Sequence, residues 1–155
     1  MAGAAPRAGG KVIVLYDGDC GFCRWATAWA LRLDRHDRLA AAPIQSPLGS
    51  GLLAHLSPEE RLAAAHAVGP DGRRLSGGAA GASVLEALDR MRLLGRVARR
   101  LPRVTERVYK AVAGHRSSIG HLVRESARRR ADRLLESASV ATAAELEARS
   151  HRSVT

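Results

Sequence analysis

A chain of 155 residues is long enough for one domain with a real core, and 46% hydrophobic with 26% charged residues is the composition of an ordinary globular protein. No run approaches the roughly 20 apolar residues of a membrane-spanning helix, and MAGAAPRAGGK lacks the apolar segment of a signal peptide, so the expected location is the cytoplasm. The net charge of +10 sits in one stretch: Asp89 to Arg133 holds fourteen Lys and Arg against four Asp and Glu, and the rest sums to zero.

Residues 1–10, rich in Gly, Ala and Pro, are expected to be disordered. The near-continuous apolar run Lys11 to Tyr16 predicts a central strand covered on both faces. Asp17-Gly18-Asp19 makes a turn, with Asp19 as N-cap of a helix running to about Arg35. Phe22, Trp25, Trp29 and Leu33 recur along it at three- and four-residue spacing. Aromatics are scarce, so Trp25 and Trp29 stand out. They are expected to pack this helix onto the sheet, or else to form a partner-binding surface beside the cysteines. Arg38 to Ala42 predicts a second strand, ended by Pro43, and Pro47 to His55 a short helix. Ser57 and Glu60 form a capping box for another. Ala64 to Val68 is the expected third strand. Gly69-Pro70-Asp71-Gly72 is hairpin-turn chemistry, and Arg73 to Ser76 returns as an edge strand ended by Gly77 and Gly78. Ala79 to Arg90 reads as a helix with Val84, Leu85 and Leu88 on one side, Gly95 breaks or bends the next stretch, and Pro102 opens a helix to Ala113. A final helix over Arg124 to Arg149, capped by Ser117 or Ser118, has few large apolar residues and is expected to extend from the domain or fray.

The only two cysteines, Cys20 and Cys23, stand as C-x-x-C between the first strand and the first helix, both in that helix's first turn. A thiolate, not a thiol, attacks disulfides. The start of a helix offers it unpaired N–H groups and the positive end of the dipole. Cys20 is then the exposed nucleophile, and Cys23, one turn deeper, resolves the mixed disulfide. In an intracellular chain this context is the thioredoxin-like redox signature. A zinc site usually takes four protein ligands. There is no second C-x-x-C, and His36, His55, His66, His115, His121 and His151 are scattered along the chain. No metal and no organic cofactor is expected. A metal or cluster carrier and a pair of inert cysteines are the competing readings. Asp17 and Asp19 flank the thiols; a carboxylate there opposes thiolate formation but offers a proton acceptor for Cys23. Turn chemistry is the competing reading for both.

LYDGDCGFC resembles the opening motif of the DCC family of thiol–disulfide oxidoreductases, Asp-x-x-Cys-x-x-Cys, here Asp17, Cys20 and Cys23. Ala42-Pro43-Ile44-Gln45-Ser46 resembles the family's APLQS segment, and Pro70-Asp71-Gly72 with Ser76 and Ala79 its DG…S…A stretch. Leu101-Pro102, Val108-Tyr109 and Arg116 resemble its LP…VY…NR region, with Gly114-His115 where Arg-Asn is more usual. The resemblance covers roughly residues 11–122. It implies a thioredoxin-like fold and disulfide exchange, and it marks Asp17 as the acceptor of the Cys23 proton. The predicted order β-α-β-α-β-β-α agrees: a small central mixed sheet with flanking helices. The expected division is a terminus at 1–10, the domain at 11–122 and a basic helical extension at 123–155. Thioredoxin-like chains place a cis-proline opposite the C-x-x-C; Pro58 comes too early and Pro70 too late, so the substrate-facing wall is expected to differ.

The function expected is protein-disulfide reduction or exchange. The partners are a disulfide-containing protein or small molecule and a cellular dithiol that recharges the pair. The alternative is a basic binding or adaptor module for nucleic acid, acidic lipid or an acidic partner, with the cysteines as a redox switch. Few aromatics argue against single-strand binding by stacking.

Overall fold

Five apolar residues in a row, Val12–Tyr16, form strand β1, and all five are buried. Strand side chains alternate between faces, so continuous burial needs cover on both sides. The computed structural model describes residues 10–116, 118–119 and 123–152, apart from the side chains of 140, 143 and 145–152. In it, β1 is an inner strand of a four-stranded sheet of order β2-β1-β3-β4, with β2 at Leu39–Pro43, β3 at His66–Val68 and β4 at Arg74–Ser76. β1 runs parallel to β2, Val12 opposite Leu39 and Tyr16 opposite Pro43. It runs antiparallel to β3, which pairs antiparallel with β4. Ile13 and Leu15 join Ala40, Ala42, Ile44, Leu52, Leu53 and Val68 on one face. Val12 and Val14 join Ala30, Ala67, Ala80 and Leu88 on the other. With its flanking helices this is a thioredoxin-like mixed α/β fold.

The helices are α1 (Gly21–Leu33), α2 (Pro47–Leu52), α3 (Pro58–Ala63), α4 (Gly77–Ala87), α5 (Arg92–Arg100), α6 (Pro102–Gly114) and α7 (Glu125–Arg152). α3 starts in the expected capping box: Ser57 Oγ accepts the Glu60 N–H at 3.2 Å and the Glu60 carboxylate accepts the Ser57 N–H at 2.8 Å. That box commits residues up to Ala63 to helix, so β3 begins at His66 rather than Ala64. α2 stops at Leu52, short of His55, and α4 stops at Ala87, with a 3₁₀ turn over Asp89–Met91. β4 stops at Ser76, as expected, and Gly77 and Gly78 already belong to α4, which starts two residues before Ala79. A Cβ on Gly78 would stand 3.0 Å from the Glu106 backbone nitrogen, and the Glu106 carboxylate accepts the Gly78 N–H at 2.9 Å. The start of α4 is thus set by its contact with α6, which local sequence does not report.

The last helix does not stand away from the sheet. Ala131 and Leu135 of α7 are buried with Tyr16, Ala28 and Ala41, and Arg24 pairs with Asp132 at 2.7 Å. Alanines are poor strand formers taken singly. In β2 they leave room for a helix to lie close, which is why so few large apolar side chains suffice. α7 begins at Glu125, beyond Ser118; the alternative cap Ser117 lies outside the described residues, as do residues 1–9.

One buried polar side chain is built into the sheet. His66 shares a hydrogen bond of 2.8 Å with Ser76 Oγ through Nδ1 and one of 3.0 Å with the Arg61 carbonyl through Nε2. Burial holds its pKa below the usual histidine value, against the pull of the backbone carbonyl.

Two outcomes test this packing. Leu135→Ala should cost about 2–4 kcal/mol in urea unfolding; unchanged stability would detach α7 from the folded unit. A depressed histidine favours the fold while neutral, so the His66 contribution is complete above about pH 6.5 and lost as pH falls through the lower folded value. Urea midpoints at pH 7.5 and 5 should differ, and His66→Gln should shrink the difference.

Candidate functional site

Parallel pairing ends β1 and β2 side by side, Tyr16 against Pro43, so the turns after them share one edge of the sheet. Gln45 reaches across that edge. Its Oε1 accepts the Gly18 N–H at 3.0 Å and its Nε2 donates to Asp17 Oδ1 at 2.8 Å. Asp17 Oδ1 also accepts the Asp19 N–H at 3.0 Å. The turn tied in this way delivers the chain into α1.

The N-cap of α1 is Cys20, not Asp19. Cys20 has an extended backbone, and its Sγ accepts the Cys23 N–H at 3.3 Å. Asp19 is drawn into the turn instead, with its carboxylate 3.4 Å from Gln45 Nε2. The cysteines are therefore cap and third helical residue, rather than both inside the first turn. A sulfur now stands where a cap oxygen usually does, receiving an N–H and the positive end of the helix.

Both cysteines are free thiols and partly buried. Burial pushes the Cys23 thiol up from an ordinary value near 9 to about 12, helped by its hydrogen bond to Cys20 and by the charges of Cys20 and Asp17; Arg116 pulls the other way. Cys23 thus stays protonated across the ordinary pH range.

A cavity of about 180 Å³ opens beside Cys23, lined among others by Asp17, Phe22, Leu62, Ala65, Tyr109 and Arg116. Tyr109 Oη accepts the Ala65 N–H at 2.7 Å, and the Ala65 carbonyl accepts the Gly77 N–H at 2.9 Å. Ala65 occupies the approach to β3 where a cis-proline is usual in this architecture. No cis peptide bond occurs among the described residues; Pro58 starts α3 and Pro70 lies in the β3–β4 turn. The wall beside Cys23 is instead finished by a tyrosine from α6. Burial raises the Tyr109 hydroxyl above its usual value, offset in part by the Ala65 N–H.

Gln45, Tyr109 and Arg116 were visible in the sequence only as members of recognisable segments. Nothing local assigned them to the site: Gln45 reaches the Asp17 turn across the sheet edge, Tyr109 comes from α6, and Arg116 follows that helix. The tryptophans go elsewhere. Thr27, Ala28 and Ala30 are the buried residues of α1, while Trp29 is 44% exposed. Trp25 and Trp29 line a shallow crevice with Ala127, Arg130 and Ala131 of α7, and Trp25 meets Phe22 with ring centroids 6.1 Å apart. Helical spacing marks one face of α1 but not the element that covers it.

Among the described residues, no three His, Cys, Asp or Glu side chains gather as metal ligands, and His121 lies outside them. A larger open cleft of about 1160 Å³ lies between the β3–β4 turn, α4 and the α5–α6 corner; neither cysteine lines it.

The family described as DCC1-like thiol-disulfide oxidoreductase matches residues 14–122 through its family model. No curated protein and no solved structure matches the chain. The matched span holds Asp17, both cysteines, Gln45, Tyr109 and Arg116, and ends before α7.

The thiol asymmetry has a direct readout. Iodoacetamide applied to the reduced protein between pH 6 and 9, with the modified sites mapped by mass, should label Cys20 and leave Cys23 free. Equal labelling of the two at pH 7 would contradict the protonation assigned here.

Proposed function

Because the chain belongs to the DCC1-like thiol-disulfide oxidoreductase family, we propose that it reduces protein disulfides, with Cys20 as nucleophile and Cys23 as resolving thiol. The Cys20 thiolate attacks one sulfur of the substrate disulfide, forms a mixed disulfide and releases the other sulfur as a thiolate. Cys23 then loses its proton and attacks Cys20 Sγ. The second substrate thiolate leaves, and a Cys20–Cys23 disulfide remains. Two electrons have passed to the substrate, and a cellular dithiol restores them. A reductase of this kind works in the cytoplasm, where such dithiols are kept reduced.

The observation that carries this order is the cap. Cys20 Sγ holds the Cys23 N–H at the start of α1, while burial keeps Cys23 protonated. In the mixed disulfide Cys20 is uncharged, but burial and the Asp17 charge still hold the Cys23 proton, so resolution needs a proton acceptor. We assign that role to Asp17. It lines the same cavity as Cys23, and its hydrogen bonds among the described residues all fall on Oδ1, leaving Oδ2 for the proton.

Cys20→Ser should abolish reduction of a disulfide substrate. Cys23→Ser should stall with substrate attached to Cys20, releasable by added dithiothreitol. Asp17→Asn keeps an acceptor oxygen for the turn, so it should slow resolution by roughly 10²-fold or more and spare the first attack. Rapid-quench trapping of the mixed disulfide separates the steps. If both steps slow together and the melting temperature drops with them, Asp17 only holds the turn.

A further inference from the structure

Seven apolar side chains stand out into solvent from the stretch 93–112: Leu93, Leu94, Val97, Leu101, Val104, Val108 and Val112, with Leu93 73% and Val108 58% exposed. Single exposed leucines are normal. These are not scattered. From Leu94 the positions advance by three or four residues to Val112, which is one helical stripe on α5 and one on α6, meeting at Leu101. The corner between the helices is closed by Thr105 Oγ1, which donates to the Ala98 carbonyl at 2.7 Å. The stripe is not the core-facing side. α5 turns Gly95 inward, where a Cβ would stand 2.4 Å from the Glu86 nitrogen, and α6 turns Thr105, Glu106, Tyr109 and Ala113 toward the domain.

The charge around the stripe has one sign. Residues 92–114 contain six Arg and one Lys against a single acid, Glu106, whose carboxylate is engaged by the Gly78 N–H. Arg99 pairs with Glu86; Arg92, Arg96, Arg100, Arg103 and Arg107 have no ion pair among the described residues.

We infer that the α5–α6 hairpin is a docking face for an anionic lipid bilayer, lying in the surface with the stripe down. An amphipathic helix rich in arginine, with leucines on its other side, has this chemistry: aliphatic side chains enter the acyl boundary while arginine stems follow the apolar surface and their heads reach lipid phosphates. No helix among the described residues is long and apolar enough to cross a membrane, so the contact is peripheral. A second copy of the chain fits less well. A two-fold pairing of this face would set the cationic rims against each other with only Glu106 in each to balance them. A rigid protein partner would need a matching pocket for each protruding leucine, whereas a bilayer accepts them without one. Val112 also lines the cavity beside Cys23, so the docked protein holds its thiols at the membrane surface.

Sedimentation of the full chain with vesicles tests this, using phosphatidylcholine alone and phosphatidylcholine mixed with phosphatidylglycerol. The wild type should pellet with the mixed vesicles, stay in the supernatant with the neutral ones, and lose binding as salt rises. Arg96→Gln with Arg100→Gln should weaken partitioning roughly tenfold or more. Leu94→Glu with Val108→Glu should abolish it while leaving the melting temperature unchanged, since both positions are exposed. Failure of the wild type to pellet with anionic vesicles overturns the inference. So does undiminished binding by the Leu94→Glu, Val108→Glu variant. A wild-type dimer in light scattering that this variant dissociates would give the face to a second copy instead.

Discussion

The two edges of β1 set the geometry on which the site depends. On one edge it pairs parallel with β2 and on the other antiparallel with β3. The parallel pairing puts the ends of β1 and β2 in register, which brings the Asp17–Cys20 turn within reach of Gln45. The antiparallel pairing puts the start of β3 beside the same end, so Ala65 and the Tyr109 that binds it face the thiols. Burial on both faces keeps this register: a one-residue slip would move Ile13 and Leu15 to the wrong side of the sheet.

At the thiols, two effects of opposite sign act within one helical turn. Helix N-terminal N–H groups favour negative sulfur, and burial disfavours it. Cys20 sits at the cap of the helix and Cys23 where burial dominates, so three residues of spacing place two identical side chains in different surroundings. Asp17 adds to the asymmetry, because its charge also holds the Cys23 proton in place. The charge that makes Cys23 reluctant to ionise is thus the one we assign to accept its proton.

Helix α6 serves three surfaces at once. Its inward side carries Tyr109 to the thiol cavity and Glu106 to the start of α4. One flank lends Arg103 and Arg107 to the large cleft. The other flank carries the exposed valines. The basic half of the chain is therefore not electrically separate from the redox half: Arg116 bears on Cys23, and Asp132 of α7 holds Arg24 of α1.

What the amino-acid sequence determined by itself was local. The apolar run of β1, the C-x-x-C at a helix start, the Ser57–Glu60 capping box and the Asp71-Gly72 hairpin each depend on contacts within a few residues, and each was legible. The resemblance to a family added the relation of Asp17 to the two cysteines. Tertiary structure decided everything that depends on what lies across a gap. It made Cys20 rather than Asp19 the cap, because Gln45, 28 positions from Asp17, completes the turn around the aspartates. It turned the tryptophans toward α7, and laid α7 across β2, because an alanine surface shows no periodic signal until its partner is in place. It brought Tyr109 to Ala65 over a separation of 44 residues. Side-chain spacing reports the face of an element; the element that covers that face is chosen by packing, which no short window of sequence contains.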